Sequence, residues 1–257
     1  MAAEREMTFW EHIDELRGIL WRALVVVLVG MVVAFLAKDF VFGTLILAPL
    51  RDDFILYRGL AWLLTRLGLE APAAFSMELI NIDLAAQFFI HLKISFWAGF
   101  IVTIPYLLYL LWGFVAPALY DSEKHAVRGA FLFGGGMFLV GLLMAYLLIF
   151  PLTLRFLGTY QVSASVANQI SLQSYIAMFI RLCLMMGLVF EMPTLAAVLS
   201  RIGLLTRDWM TKYRKHAVIV LLVLAAIITP TGDAFTLFLV GIPMYLLYEL
   251  SIYFCKK

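Results

Sequence analysis

Long apolar runs alternate along this chain with short clusters of charged residues. A hydrocarbon core of about 30 Å takes about 20 apolar residues in a helix. Six runs approach that length: residues 19–37, 94–111, 130–150, 172–199 (interrupted by Arg181 and Glu191), 217–228 and 234–248. Because backbone N–H and C=O groups find no partner in lipid, each run is predicted to be helical. At 1.5 Å per residue the last two reach only about 18 and 22 Å. They are expected to form a short hairpin that thins the bilayer or is buried against other helices. The turn between them, Thr229-Pro230-Thr231-Gly232-Asp233, has the Pro, Gly and Asp chemistry of a reversal. The fold class expected is all-α: a single polytopic membrane domain, 1–257, whose six spans form a concave bundle.

Between the first and second runs lies a long external loop, 38–93, rich in aromatic residues and punctuated by Pro49 and Pro72. Within it Phe54 to Leu69 alternates apolar and charged residues, as in an amphipathic helix lying in the membrane interface. No internal repeat is visible, which weighs against an inverted-repeat transporter.

Composition agrees with lipid as the solvent: 64% of residues are hydrophobic, 14% are charged, and mean hydropathy is +0.99. A net charge of +2 without a basic arm gives no basis for nucleic-acid binding. With six spans, twelve Lys and Arg residues fall on the side of the termini and five on the other, which places both termini in the cytoplasm. Cys183 and Cys255 are far apart and no Cys/His cluster has metal-ligand spacing, so neither a disulfide framework nor a metal is expected. No phosphate-binding loop, zinc signature or nucleophile elbow occurs; the chain is expected to be no enzyme and to carry no cofactor.

A few polar residues stand where lipid should forbid them. Glu191 lies in an otherwise uncharged stretch from Leu182 to Leu199, where an acid costs at least about 2.5 kcal/mol on insertion scales. Pro193 is expected to bend the helix there and open polar backbone beside the carboxyl group. Two readings stand: a neutralised Glu bonded to a neighbouring helix, or a polar point in a groove facing substrate or partner. Arg181, ten residues earlier and so about 15 Å along the axis, cannot pair with it in one straight helix.

A second group, Asp14, Glu15, Asp121 and Glu123, flanks the membrane segments on the side of the termini. Carboxylates there can take guanidinium groups bidentately, a geometry that lysine does not reproduce; charged loop residues can equally be merely solvated. Asp233 has the position of an N-cap for the last helix, and Glu249 that of an end residue reaching to water.

In chain order, His12-Ile13-Asp14-Glu15-Leu16-Arg17, Ala48-Pro49-Leu50, Trp112 to Tyr120 with Glu123, Phe190-Glu191-Met192-Pro193, Thr229-Pro230 with Asp233, and Ile242-Pro243-Met244-Tyr245 resemble the TatC family, the polytopic receptor subunit of the twin-arginine protein translocase. The resemblance implies a subunit of the bacterial inner membrane that binds signal peptides of folded cargo carrying two consecutive arginines. It further implies assembly with small single-span partners of the TatA and TatB type, self-association, and transport driven by the proton gradient. On that resemblance Glu15 and Glu123 would bind the arginine pair, with Arg17, Phe114, Pro117 and Leu119 shaping the site. Glu191 would be the intramembrane polar site, Thr229 and Asp233 would belong to the partner-docking hairpin, and Pro49 and Pro193 would be structural. The chain departs from the family at Gly18-Ile19, where a second base is common, and around Leu237, where a polar amide is common.

Overall fold

The computed structural model describes residues 9–70, 77–118, 121–163, 165, 168–229 and 231–256. Among these residues the regular structure is helical apart from one pair of two-residue strands. Among the described residues five helical stretches are long and apolar enough to cross a membrane: Ile13–Leu36, Ala86–Val115, Val127–Thr159, Leu172–Arg201 and Ala234–Phe254.

The first stretch belongs to α1, Phe9–Leu36. The described residues between the first and second apolar runs are not structureless. They hold a π-helical segment, Asp39–Ile46, and a 3-10 turn, Ala48–Leu50. The expected amphipathic helix follows as α2, Ile55–Arg66. Strand β1, Leu79–Ile80, pairs in parallel with β2, Ile170–Ser171.

The membrane helices outrun the apolar cores that signalled them. Helix α3, Ala86–Val115, has 30 residues against the 18 read from hydropathy, and at about 45 Å it covers headgroups as well as hydrocarbon. Helix α4, Asp121–Met144, continues through a π-helical turn, Ala145–Ile149, into α5, Phe150–Thr159. Helix α6, Leu172–Val189, is capped by Ser171, whose hydroxyl accepts from the Ser174 amide at 3.2 Å. It stops at Phe190 and Glu191, and α7, Met192–Arg201, resumes with Pro193 in its first turn. Pro193 thus sits where the missing N–H does least harm.

After the short α8, Arg207–Lys212, comes α9, Arg214–Ile228. Its 15 residues reach about 22 Å, against the 12 residues and about 18 Å expected for this span, because the helix begins three residues earlier, at Arg214. The last helix differs from the expectation of a 15-residue span: α10, Ala234–Phe254, has 21 residues and reaches about 31 Å. The difference lies at Glu249, whose charge reads as an end in the sequence. In the structure its carboxylate accepts from Arg214 Nη2 at 2.8 Å and from the Tyr245 hydroxyl at 2.9 Å, so the helix carries a compensated charge for a further turn.

Cα packing divides the chain into two compact units: Met1–Lys38 with Phe88–Gly135, and Asp39–Gln87 with Gly136–Lys257. In the first unit α1 and α3 meet backbone to backbone. A Cβ built on Gly99 would lie 2.6 Å from the Gly30 carbonyl carbon, so only glycine fits. Close approach at small residues is how helices gain van der Waals contact in lipid, where burial supplies no driving force between them. Nearer the loop end, His91 stacks on Phe35 with ring centroids 3.9 Å apart, and its Nε2 lies 3.1 Å from the Phe35 carbonyl.

The second unit is pinned by tyrosines. Carbonyls at the end of the π-helical segment and in the 3-10 turn have no helical partner. The Tyr146 hydroxyl donates to Leu45 O at 2.9 Å, Tyr175 to Ile46 O at 2.6 Å, and Tyr57 to Pro49 O at 3.1 Å, with Pro151 O at the same distance. Tyr57 and Tyr175 are buried. Burial pushes the Tyr57 phenol up to about 12, against the opposing effect of the Arg155 guanidinium 5.4 Å from its ring centroid, so it stays a donor at neutral pH. At the other end of this unit the chain terminus is tied down: the Lys256 amide donates to Ser200 Oγ at 2.7 Å and its carbonyl accepts from the Arg207 amide at 3.1 Å.

Candidate functional site

Within the first unit, the opening turns of α1 carry Asp14, Glu15 and Arg17. Asp14 and Arg17, three residues apart, form an exposed ion pair of 3.2 Å, a geometry of little energetic weight. Glu15 lies on a different face. It is half-buried, and its Oε2 is buried with no hydrogen-bond partner among the described residues. A buried acceptor left unmet costs about 1–3 kcal/mol, more when charged.

The second wall begins where α3 ends. Phe114 is half-buried in its last turn, and Trp112 packs edge-on against Phe131 of α4 at 6.1 Å. The chain then tightens into a 3-10 turn, Ala116–Ala118, in which Pro117 is exposed. Helix α4 opens at Asp121, which puts the backbone of Glu123 in its first turn. An acid there is favoured by the helix dipole. Leu119 and the Glu123 side chain lie outside the described residues.

The second unit holds the remaining candidates. Glu191 occupies the break between α6 and α7, half-buried. Its amide donates to Leu188 O at 3.1 Å and its carbonyl accepts from the Leu195 amide at 2.9 Å. The chain therefore turns at the acid while its backbone stays bonded. Pro193 is buried, and so is Pro49, whose carbonyl is a Tyr57 acceptor. Arg181, exposed midway along α6, lies ten residues and so about 15 Å before Glu191.

Thr229 and Asp233 bracket the reversal between α9 and α10. Thr229 is buried at the end of α9, its amide donating to Ala225 O at 2.9 Å and its hydroxyl to Ala226 O at 3.4 Å. Asp233 is the N-cap of α10: its Oδ1 accepts from the Thr236 amide at 2.7 Å and its Oδ2 from the Thr231 hydroxyl. Partial burial alone would raise its pKa; the hydrogen bonds from Thr231 and Thr236 outweigh that and hold the carboxyl below the usual aspartate value. Gly232, at φ +61°, supplies the left-handed step in the turn.

Sequence reasoning missed the three pinning tyrosines and the Arg214–Glu249–Tyr245 cluster. Tyrosine hydroxyls inside apolar runs are the available signal for the first, because a buried hydroxyl needs a partner. Among the described residues no group of His, Cys, Asp and Glu is arranged to hold a metal ion.

The family model for Sec-independent protein translocase protein (TatC) matches residues 11–243. A Sec-independent protein translocase protein TatC from Blattabacterium sp. subsp. Periplaneta americana is 34% identical over 255 residues, covering 97% of this chain and 95% of the relative. Two crystal structures of a twin arginine translocase receptor, TatC, are also similar. One is 33% identical with a TM-score of 0.69 and covers 95% of this chain and 97% of its own. The other, in the detergent DDM, is 32% identical with a TM-score of 0.72 and covers 96% of this chain and 100% of its own.

Proposed function

Because the chain belongs to the TatC family of Sec-independent protein translocase proteins, we propose that it is the subunit of a twin-arginine translocase that receives the signal peptide. It is a multi-pass protein of the inner membrane. The observation that carries the reading is the contrast between neighbours on α1: Asp14 is already engaged by Arg17, whereas Glu15 keeps a buried oxygen with no partner among the described residues. One guanidinium of an arginine pair docks bidentately on Glu15 and the other on Glu123, with Phe114, Pro117 and Leu119 flanking the peptide and Arg17 beside it. Lysine, a point charge, lacks that fork.

In this reading both termini are cytoplasmic, and α9 is a sixth, short span in a locally thinned bilayer. The α9–α10 hairpin, held by Thr229 and Asp233, receives single-span partners of the TatA and TatB type. Support comes from apolar side chains left open along it: Ile219, Val223 and Ile227 on α9, and Phe238 and Ile242 on α10, all more than half exposed. Glu191 offers a polar point in the membrane at the break in the fourth span. Copies of the subunit associate in the working complex, and the proton gradient drives transport.

The test is binding of a synthetic signal peptide bearing Arg-Arg to detergent-solubilised protein, against the same peptide with Lys-Lys, over a series of salt concentrations. The reading expects a preference for arginine that is lost in Glu15→Ala and in Glu123→Ala, while thermal unfolding is unchanged. Equal affinity for the two peptides, or unchanged affinity in both variants, overturns it.

A further inference from the structure

Helix α2 is fastened to its own unit by one side only. Phe54 and Tyr57 are buried and Leu60, Ala61 and Leu64 half-buried, the spacing of a single helical face. Tyr57, bonded to Pro49 O and Pro151 O, fixes how the helix is rotated. The opposite side is therefore held outward.

That outward side has its own pattern. Ile55 and Trp62, seven residues apart, are 68% and 62% exposed, and Leu69 just past the helix end is 57% exposed. Arg58 and Arg66 flank them, both exposed. At about 100° per residue the four helical positions, Ile55, Arg58, Trp62 and Arg66, fall within an arc of about 80°. Arg66 lies over the Trp62 ring, 5.4 Å from its centroid, a cation–π contact that leaves the guanidinium edge free to donate. The helix contains no Asp or Glu. The acids before it are Asp52 and Asp53, and Asp53 is paired with Arg51 at 3.6 Å.

An exposed Trp and Ile between two arginines suit neither bulk water nor the hydrocarbon centre. They suit the boundary, where an indole sits at headgroup depth and guanidinium forks meet phosphate oxygens. With two bases and no acid, the side complements a surface of net negative charge. We propose that the outward side of α2 docks on the bilayer surface, with Ile55 and Trp62 at the acyl boundary and Arg58 and Arg66 bound to the phosphodiester groups of anionic phospholipid. The occupant is lipid rather than a protein helix because Ile55 and Trp62 stand between two exposed bases and the helix brings no acid to pair with them. The docked helix carries the tyrosine-pinned segment with it, so headgroup composition sets how firmly this end of the unit is seated.

The test places a nitroxide on Ile55→Cys in the full chain, reconstituted in nanodiscs of phosphatidylcholine alone or of an equimolar mixture with phosphatidylglycerol. Cys183 and Cys255 are buried, and labelling of the unsubstituted chain measures their background. Collision with oxygen and with a water-soluble nickel chelate reports depth. The proposal expects several-fold protection from nickel relative to a label on the exposed loop residue Ser163, deeper in the anionic discs. In an Arg58→Gln/Arg66→Gln background, shown by thermal unfolding to be folded, the difference between the two lipids should vanish. Nickel access equal to that at Ser163 overturns the proposal. So does a depth that ignores both lipid charge and the two arginines, which would reduce the contact to apolar insertion alone. Protection that appears only when single-span partner subunits are co-reconstituted overturns it in favour of a protein-binding face.

Discussion

Replacing Gly99 by alanine adds one methyl group where two backbones touch. The new Cβ would lie 2.6 Å from the Gly30 carbonyl carbon and 2.8 Å from Met31 Cα, with the Met31 nitrogen nearer still. Carbon atoms rest about 3.5–4.0 Å apart, so α1 and α3 must separate by about 1 Å at their crossing. All three neighbours are main-chain atoms, and no change of rotamer relieves the clash. Overpacking of this kind costs about 1–3 kcal/mol, and the upper end is expected here. Gly30→Ala is milder: its Cβ meets Gly99 O at 3.0 Å and Thr103 Cγ2 at 3.1 Å, so a shift of a few tenths of an ångström suffices. Gly129→Ala meets nothing within 4 Å and should be neutral or slightly stabilising through helix propensity. Thermal unfolding of the purified protein in one detergent reads all three, at about 2–4 °C per kcal/mol for a chain of this size. A Gly99→Ala midpoint equal to that of the parent, or a larger loss in Gly129→Ala than in Gly99→Ala, refutes the account of the crossing.

The other perturbations act on single hydrogen bonds. Tyr175→Phe leaves Ile46 O unmet in a buried position and should cost about 1–3 kcal/mol, read as a lower unfolding midpoint; Tyr146→Phe, at a more exposed site, should cost less. Asp233→Ala removes the N-cap of α10 at a cost of about 1 kcal/mol. Because the folded-state pKa of Asp233 is depressed, its contribution is present above the ordinary aspartate value near 3.8 and fades as pH falls through the lower folded value. The acid limb of the stability profile should therefore be shallower in Asp233→Asn than in the parent, and parallel limbs would contradict the assignment.

Where burial and hydropathy coincide, the sequence was readable. The second, third and fourth apolar runs lie inside membrane-length helices and the first overlaps one up to Leu36, the interruption at Phe190 and Glu191 falls beside Pro193, and the amphipathic α2 follows from its alternation of apolar and charged residues. What hydropathy missed depends on contacts between distant residues. Helix α10 continues past Glu249 because Arg214, 35 positions earlier, accompanies the charge. The tyrosine pins join residues as much as 129 positions apart, and the glycines at 30 and 99 are unremarkable until they face each other. The site was legible only in part: Glu15 appears in the sequence as one of several acids near α1, and only its buried oxygen, with no partner among the described residues, separates it from Asp14.

The wide turn at Ala145–Ile149 has a geometric consequence of its own. A π turn takes one more residue than an α turn without interrupting the rod, so everything downstream is rotated by about 100°. The residues of α5 therefore present a different face from the one an uninterrupted α-helix would give them. That change of phase is what brings Phe150, Thr153 and Leu154, at 0%, 0% and 1% exposure, to the inside. Deleting one residue from the turn would leave the hydropathy profile of the segment almost untouched while swinging all three towards lipid.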